Sequence, residues 1–344
     1  MIILAKFIYF FKRRNILLQY LYLLFQNIEM IISIILYIVS FVAIWLGAGL
    51  IINSIDRIAH RLRLSSFAIS FFLLGILTSI PEIAISASAV VDHNPEIFIG
   101  TLLGGIIVIF LLIMPLLAII GKGIWINHDL NKTNIIMALA VMIAPSLLII
   151  DHKVTNFEGL VLIVIYLILF YFIQRKHGVF DHNPVKAMVL KKYTFLDLVK
   201  VGLGVGIVAI ASQYVVNQTI VFSNALSISA FYISIVVLSI GTNLPELSLA
   251  VRAILSGKKD IAFGDYLGSA AANTLLFGIF TLASDGEVLT VNSFYIIFLF
   301  TLVGLGLFYF FSRSRRDISV REGLILLGVY FLFISYELSS GFLK

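Results

Sequence analysis

Apolar residues run along this chain in ten stretches, at about 31–52, 66–91, 97–120, 134–151, 157–174, 196–217, 225–251, 262–283, 290–311 and 321–340, divided by short polar interruptions. A helix needs about 20 apolar residues to cross the hydrocarbon of a bilayer. Backbone groups find no water there, so each stretch is predicted to be a helix. The interruptions alternate in charge. Arg57, Arg61 and Arg63 follow the first stretch, Lys122 and Lys132 the third, and Arg175, Lys176, Lys186, Lys191 and Lys192 the fifth. Arg252, Lys258 and Lys259 follow the seventh, and Arg313, Arg315 and Arg316 the ninth. Among the alternate loops Lys153 is the only lysine or arginine. The positive-inside rule makes the odd-numbered loops cytoplasmic.

Within this pattern one segment is written twice. Residues 65–82 (SSFAISFFLLGILTSIPE) and 229–246 (SAFYISIVVLSIGTNLPE) are offset by 164 without a gap and agree at 9 of 18 positions. The same offset carries Gly100 and Gly104 onto Gly264 and Gly268. Five spans per copy is an odd number, so the second copy enters the membrane upside down relative to the first. The linker at Asp92–Glu96 then faces out, and its counterpart at Ser256–Asp260 faces in. Inverted repeats of this kind underlie alternating-access transport. The expected fold is an all-α membrane protein of ten transmembrane helices in two inverted five-helix repeats, with discontinuous helices at an ion site. The expected units are an N-terminal extension at 1–30, a first repeat at 31–174, a cytoplasmic connecting loop at 175–195 and a second repeat at 196–344. For the extension three readings stand: an interfacial amphipathic helix, an eleventh span, or a start codon placed too early. The last is preferred, because Met30 opens an apolar run where the first span is due.

Composition narrows the function classes. The chain of 344 residues is 61% apolar and 12% charged, against roughly 25% charged in a soluble domain. The net charge of +6 sits in short loops, so it is no nucleic-acid footprint. With no cysteine, thiolate metal sites and thiol catalysis are excluded. No cleavable signal peptide is evident.

The chemistry lies in the repeated motif. Thr78 and Glu82 are four apart and share a helix face. Pro81 has no N–H, which leaves the Leu77 carbonyl without its helical partner. A hydroxyl, a freed carbonyl and a carboxylate thus converge, with Ser79 between them. These are hard oxygen donors, suited to Ca²⁺ or Na⁺. Gly241, Thr242, Asn243, Pro245 and Glu246 repeat the arrangement. Two carboxylates match the charge of one divalent cation. The competing reading is that both prolines only kink helices and both glutamates pair with basic residues. No lysine or arginine lies at comparable depth in any span to serve as partner. The glycine pairs allow close helix approach. Ser269 and Asn273 follow the second pair on one face and are candidate ion ligands, with interhelical hydrogen bonding as the alternative. Asp265 is a weaker candidate for ion access. In the first copy the matching positions are Gly105 and Ile109, so only Thr101 and the backbone supply oxygen there.

These residues resemble the calcium/cation antiporter superfamily, whose best-known branch is the sodium/calcium exchangers. The resemblance runs from about residue 31 to the end. Its specific part is LTSIPE (77–82) with GTLLGG (100–105), and GTNLPE (241–246) with GDYLGSAAAN (264–273). It implies that Glu82 and Glu246 are the central calcium ligands. It also implies that Thr78, Ser79, Thr242, Asn243, Ser269 and Asn273 line the calcium and sodium positions, and that spans 1 and 6 are long tilted helices that slide to switch access. Three residues depart from the family pattern: Leu77 for a glycine, Gly105 for a serine that helps form a sodium position, and Ile109 for an asparagine or aspartate. The losses at 105 and 109 put a three-sodium stoichiometry in doubt. Exchange of one Ca²⁺ for two Na⁺ or H⁺ would be electroneutral.

The expected function is a secondary active antiporter in the plasma membrane that exports Ca²⁺ in exchange for Na⁺ or H⁺, with no cofactor and as a monomer. A cation channel and a family member that no longer transports are the alternatives. An enzyme is disfavoured: HExxH and paired intramembrane aspartates are both absent from the sequence.

Overall fold

The computed structural model describes residues 28–51, 75–126, 132–177, 195–247, 260–261, 263–284, 288–289, 294–314 and 317–342. It is almost entirely helical. The expectations for residues 1–27 and for the connecting segment 178–194 lie outside the described residues.

Helix α1 (Ile28–Ile51) shows why such segments sit at the edge of the bundle. Tyr37, Phe41, Ile44, Ala48 and Ile51 are buried and recur at intervals of four and three, one stripe of a helix. Ile35, Ile38, Val42 and Leu46 on the other face are exposed, and only lipid suits them. Helix α2 (Gly75–Thr78) stops at Ser79, and α3 (Ile80–Val91) resumes with Pro81 in its first turn. Next come α4 (Pro95–Ile120), α5 (Lys132–Leu148), α6 (Asn156–His177) and α7 (Phe195–Leu226). Helix α8 (Ala230–Thr242) stops at Asn243, and residues 244–247 are again helical. The chain continues through α9 (Phe263–Ala283), α10 (Tyr295–Ser314) and α11 (Val320–Phe342).

Among the described residues seven helices are long and apolar enough to cross a membrane. This is an integral, multi-pass membrane protein. Helices α4 and α9 are buried on nearly all sides and form its centre. Phe98 of α4 meets Phe277 of α9 edge to face, with ring centroids 5.8 Å apart. Helices α1, α6 and α11 turn most of their surface outward.

Two boundaries differ from the sequence expectation. The sixth span runs on to Leu226, because nothing between 217 and 226 breaks a helix. The break comes at Ser227, which takes a left-handed φ of 54°, and Ser229 then caps α8 by accepting from the Phe231 N–H. The fifth helix also continues to His177, through the basic pair assigned to the loop.

Short strands tie the loops together. β1 (Ile124–Ile126) pairs parallel with β3 (Asp260–Ile261) and antiparallel with β5 (Asp317–Ile318). β2 (Lys153–Val154) pairs antiparallel with β4 (Val288–Leu289). The first sheet joins loops after the third, seventh and ninth spans, and the second joins loops after the fourth and eighth. Loops of one parity therefore lie together, as the charge alternation requires.

The glycine pair of the first copy allows a close helix approach near the centre. A Cβ at Gly100 would lie 2.8 Å from the Phe231 carbonyl oxygen, and one at Gly104 would lie 2.6 Å from that of Ile235. Helices α4 and α8 thus meet backbone to backbone. Both carry a π-helical turn, Ile109–Ile113 in α4 and Ser234–Leu238 in α8. Such turns rotate the side chains beyond them and are frequent near functional sites. Gly264 and Gly268 lie on α9.

Candidate ion-binding site

The two helix breaks have nearly the same backbone. Ser79 takes φ −79° and ψ 10°, and Asn243 takes φ −88° and ψ 13°. Each is followed by an amide that bonds back to it: Ile83 N–H to the Ser79 carbonyl at 2.9 Å, and Leu247 N–H to the Asn243 carbonyl at 3.1 Å. The cause is local in both copies. Pro81 and Pro245 supply no N–H to the preceding turn, so the helix ends and restarts one turn before each glutamate.

This places the glutamates deep in the protein. Glu82 is 2% exposed and Glu246 4%. The charge of Glu246 acts on Glu82, and Thr242 of the second copy stands beside the Glu82 carboxyl. The two copies thus meet at the first copy's carboxylate. Ser269 of α9 donates to Glu246 Oε1 at 3.1 Å. Asn273, one turn further along α9, donates from Nδ2 to the Leu102 carbonyl of α4 at 3.3 Å. Asn243 Nδ2 donates to the Ser239 carbonyl at 2.8 Å. Thr78 and Ser79 are buried beside the first break. All eight residues singled out in the sequence are therefore buried, on the two broken helices and on α9. Thr101 is buried too, and its hydroxyl bonds back to Ile97 within α4. Asp265 lies in the first turn of α9, and its side chain is outside the described residues.

Several of these oxygens are buried with no hydrogen bond: Glu82 Oε2, Asn243 Oδ1 and Asn273 Oδ1. Buried polar atoms are nearly always satisfied, so a group of unsatisfied acceptors calls for a positive partner. Oxygen acceptors without donors are the ligand set of a hard cation. Among the described residues no cluster of three or more histidine, aspartate or glutamate side chains forms. The arrangement is a carboxylate pair supplemented by neutral oxygens. A charged side chain at the bilayer centre costs about 3 kcal/mol on insertion scales. A cation shared by both carboxylates would offset that cost.

Sequence reasoning passed over Ser86. It is fully buried on α3, and its hydroxyl has no hydrogen bond. Most other buried helical hydroxyls bond back to a carbonyl three or four residues earlier, as in Thr219 and Ser234. The signal was available, since Thr78, Glu82 and Ser86 are spaced by four and share one face. Contacts made by α1 were not legible. Tyr37 hydrogen-bonds Thr219 of α7 at 2.8 Å, and Phe41 packs on Gly241 just before the second break.

Ser269→Ala is expected to weaken Ca²⁺ binding about tenfold to a hundredfold, the loss of one hydrogen bond to a charged group. Calorimetry on the purified protein checks it. Unchanged affinity would separate Ser269 from the ion.

The family model described as sodium/calcium exchanger protein matches residues 32–174 and 197–338. The inner membrane protein YrbG of Escherichia coli is 24% identical over 258 residues, covering 70% of this chain and 79% of YrbG. The sodium/calcium exchanger MaX1 of Methanosarcina acetivorans is 23% identical over 327 residues, covering 84% and 93%. A solved structure of the sodium-calcium exchanger NCX_Mj superimposes with a TM-score of 0.62 at 24% identity, covering 88% of this chain and 97% of that one. That likeness is one of fold. The matched relatives are transporters and membrane proteins, and this chain is a membrane antiporter, not an enzyme. With the family model spanning both halves, the chain belongs to the sodium/calcium exchanger protein family.

Proposed function

We propose that the protein exports Ca²⁺ across the cell membrane in exchange for Na⁺ or H⁺ by alternating access, with Glu82 and Glu246 as the central ligands. Thr78, Ser79, Thr242, Asn243, Ser269 and Asn273 supply neutral oxygens around them. The observation that carries the reading is the meeting of two buried carboxylates, one from each helix break, among oxygens that lack donors. The ten helices form two inverted five-helix repeats in this reading, at 31–174 and 196–344, acting as a monomer. Three findings support that arrangement: the matching breaks at a 164-residue offset, the pairing of loops by parity, and a family model that matches each half.

The mechanism follows from the charge. Two carboxylates in a low-dielectric centre repel each other and bar rearrangement while ionised and unneutralised. One Ca²⁺ or two monovalent cations remove that charge. The two access states then interconvert only with the site loaded, which couples export to the counterflow. A channel would need a continuous pore instead, and the two breaks close on one buried point.

The test is radiolabelled Ca²⁺ uptake into liposomes, with an outward Na⁺ or an outward H⁺ gradient imposed separately. Uptake driven by either gradient is expected, and the effective gradient names the coupling ion. Failure of both would overturn antiport. The expected exchange is electroneutral, so an imposed membrane potential leaves the rate unchanged. Transport currents that follow the potential would exclude the one-for-two ratio.

A further inference from the structure

The two halves of the site are not equivalent, and the asymmetry has a structural cause at Gly105. The 164-residue offset makes Gly105 the partner of Ser269, and Ile109 the partner of Asn273. In the second half the hydroxyl of Ser269 reaches Glu246 Oε1. In the first half the space of that side chain is already occupied. A Cβ at Gly105 would lie 2.6 Å from Asn273 Nδ2 and 3.3 Å from Asn243 Nδ2. Both amides come from the second half.

Their orientation is fixed by chemistry. Asn273 Nδ2 meets the Leu102 carbonyl and Asn243 Nδ2 meets the Ser239 carbonyl, and a carbonyl only accepts. Two NH₂ groups therefore crowd the ground beside Gly105. The amide oxygens lie on the other side of each Cγ, buried and without hydrogen bonds. A cation beside Gly105 would meet two N–H donors as the nearest polar groups.

We propose that Asn273 acts across the two halves, its amide taking the place of the side chain that position 105 lacks, and that the Gly105–Asn273 pair thereby limits the site to two monovalent cations. This rests on Glu82 and Glu246 being cation ligands. Amide oxygens hold a cation without adding charge, so the formal charge of the site stays at that of two carboxylates. One divalent or two monovalent cations saturate it. A third alkali cation would find no further carboxylate, and no side chain at position 105, to bind.

The experiment is a cycle of four full-length proteins: wild type, Gly105→Ser, Asn273→Ala and the double variant. Ca²⁺ affinity is measured by calorimetry, and Na⁺ is titrated against bound Ca²⁺. In the wild-type background Gly105→Ser drives the Asn273 amide off Leu102 and weakens Ca²⁺ binding about tenfold. In the Asn273→Ala background the 2.6 Å collision is gone and only the Asn243 amide, at 3.3 Å, has to give, so the same substitution changes affinity by less than about threefold. The Hill coefficient for Na⁺ displacement is about two in the wild type and rises in the double variant, which presents a new hydroxyl on the α4 side. A purely structural clamp would leave that coefficient unmoved. The inference is overturned if Gly105→Ser has equal effects in both backgrounds, or if the wild-type coefficient is three.

Loss of the functional reading looks different: the wild type then binds no Ca²⁺, and the cation count falls with it. The packing is read separately by the unfolding midpoint of the ion-free proteins. Gly105→Ser lowers it only when Asn273 is present, and equal lowering in both backgrounds overturns the proposal.

Discussion

Replacing Glu82 or Glu246 by glutamine is expected to lower initial Ca²⁺ uptake by at least about a hundredfold in reconstituted liposomes, more than loss of a supporting contact around a metal ligand. Glutamine keeps the shape of the side chain and removes the charge. Each carboxylate is buried, and in the proposed site the pair carries the charge that Ca²⁺ must meet. With one charge gone, a divalent cation is left half neutralised in a low-dielectric centre, which is costly. Stability should move the other way. The substitution removes repulsion between two buried anions, so the unfolding midpoint of the ion-free variants is expected to stay level or rise. That pairing of outcomes separates loss of a ligand from loss of the fold. Normal transport by either variant would remove that glutamate from the site.

Gly104→Val is the second large effect, and it acts through packing. A Cβ there would stand 2.6 Å from the Ile235 carbonyl oxygen and 2.7 Å from Ser239 Cβ. No rotamer relieves a collision with backbone, so α4 and α8 have to separate. Overpacking of this kind costs about 1–3 kcal/mol or more. The loss is also functional, because α8 ends in Thr242 at the break and Ser239 receives the Asn243 amide. The expected result is an unfolding midpoint several degrees lower, together with loss of Ca²⁺ uptake. Gly206→Ala is the control: a Cβ at Gly206 meets nothing within 4 Å, so stability and uptake are expected to hold. A Gly104→Val protein as stable and active as the control would refute the close α4–α8 contact.

Much of the site was legible in the sequence because its causes are local. A proline without an N–H breaks a helix wherever the helix lies. Pro81 and Pro245 therefore predicted both breaks, and the two matching backbone conformations at Ser79 and Asn243 follow from the same chemistry. The glycine spacing at 100 and 104 predicted a close approach, though not that the partner is α8. The lack of side-chain oxygen at Gly105 and Ile109 is legible in the residue types, and the structure adds that Asn273 bonds to Leu102 beside Gly105. What fills the gap could not be read from residue types, since Asn273 lies 168 positions from Gly105. The length of α7 was misjudged for the opposite reason. Its end is set by the backbone of Ser227 and the cap at Ser229, which are weak signals beside an apolar run.

Hydropathy, charge alternation and the duplicated motif by themselves determined that this chain is a multi-pass helical membrane protein with two broken helices carrying glutamates. Those properties depend on transfer from water, on loop charge and on proline geometry, all of which act within a few residues. Only the tertiary structure decided that Thr242 reaches Glu82 across the two halves, that Ser269 serves Glu246, that Ser86 has no bond to its own helix, and that two amides occupy the ground beside Gly105. These are contacts between helices distant in sequence. They depend on which faces pack and how closely, and no local rule carries that information.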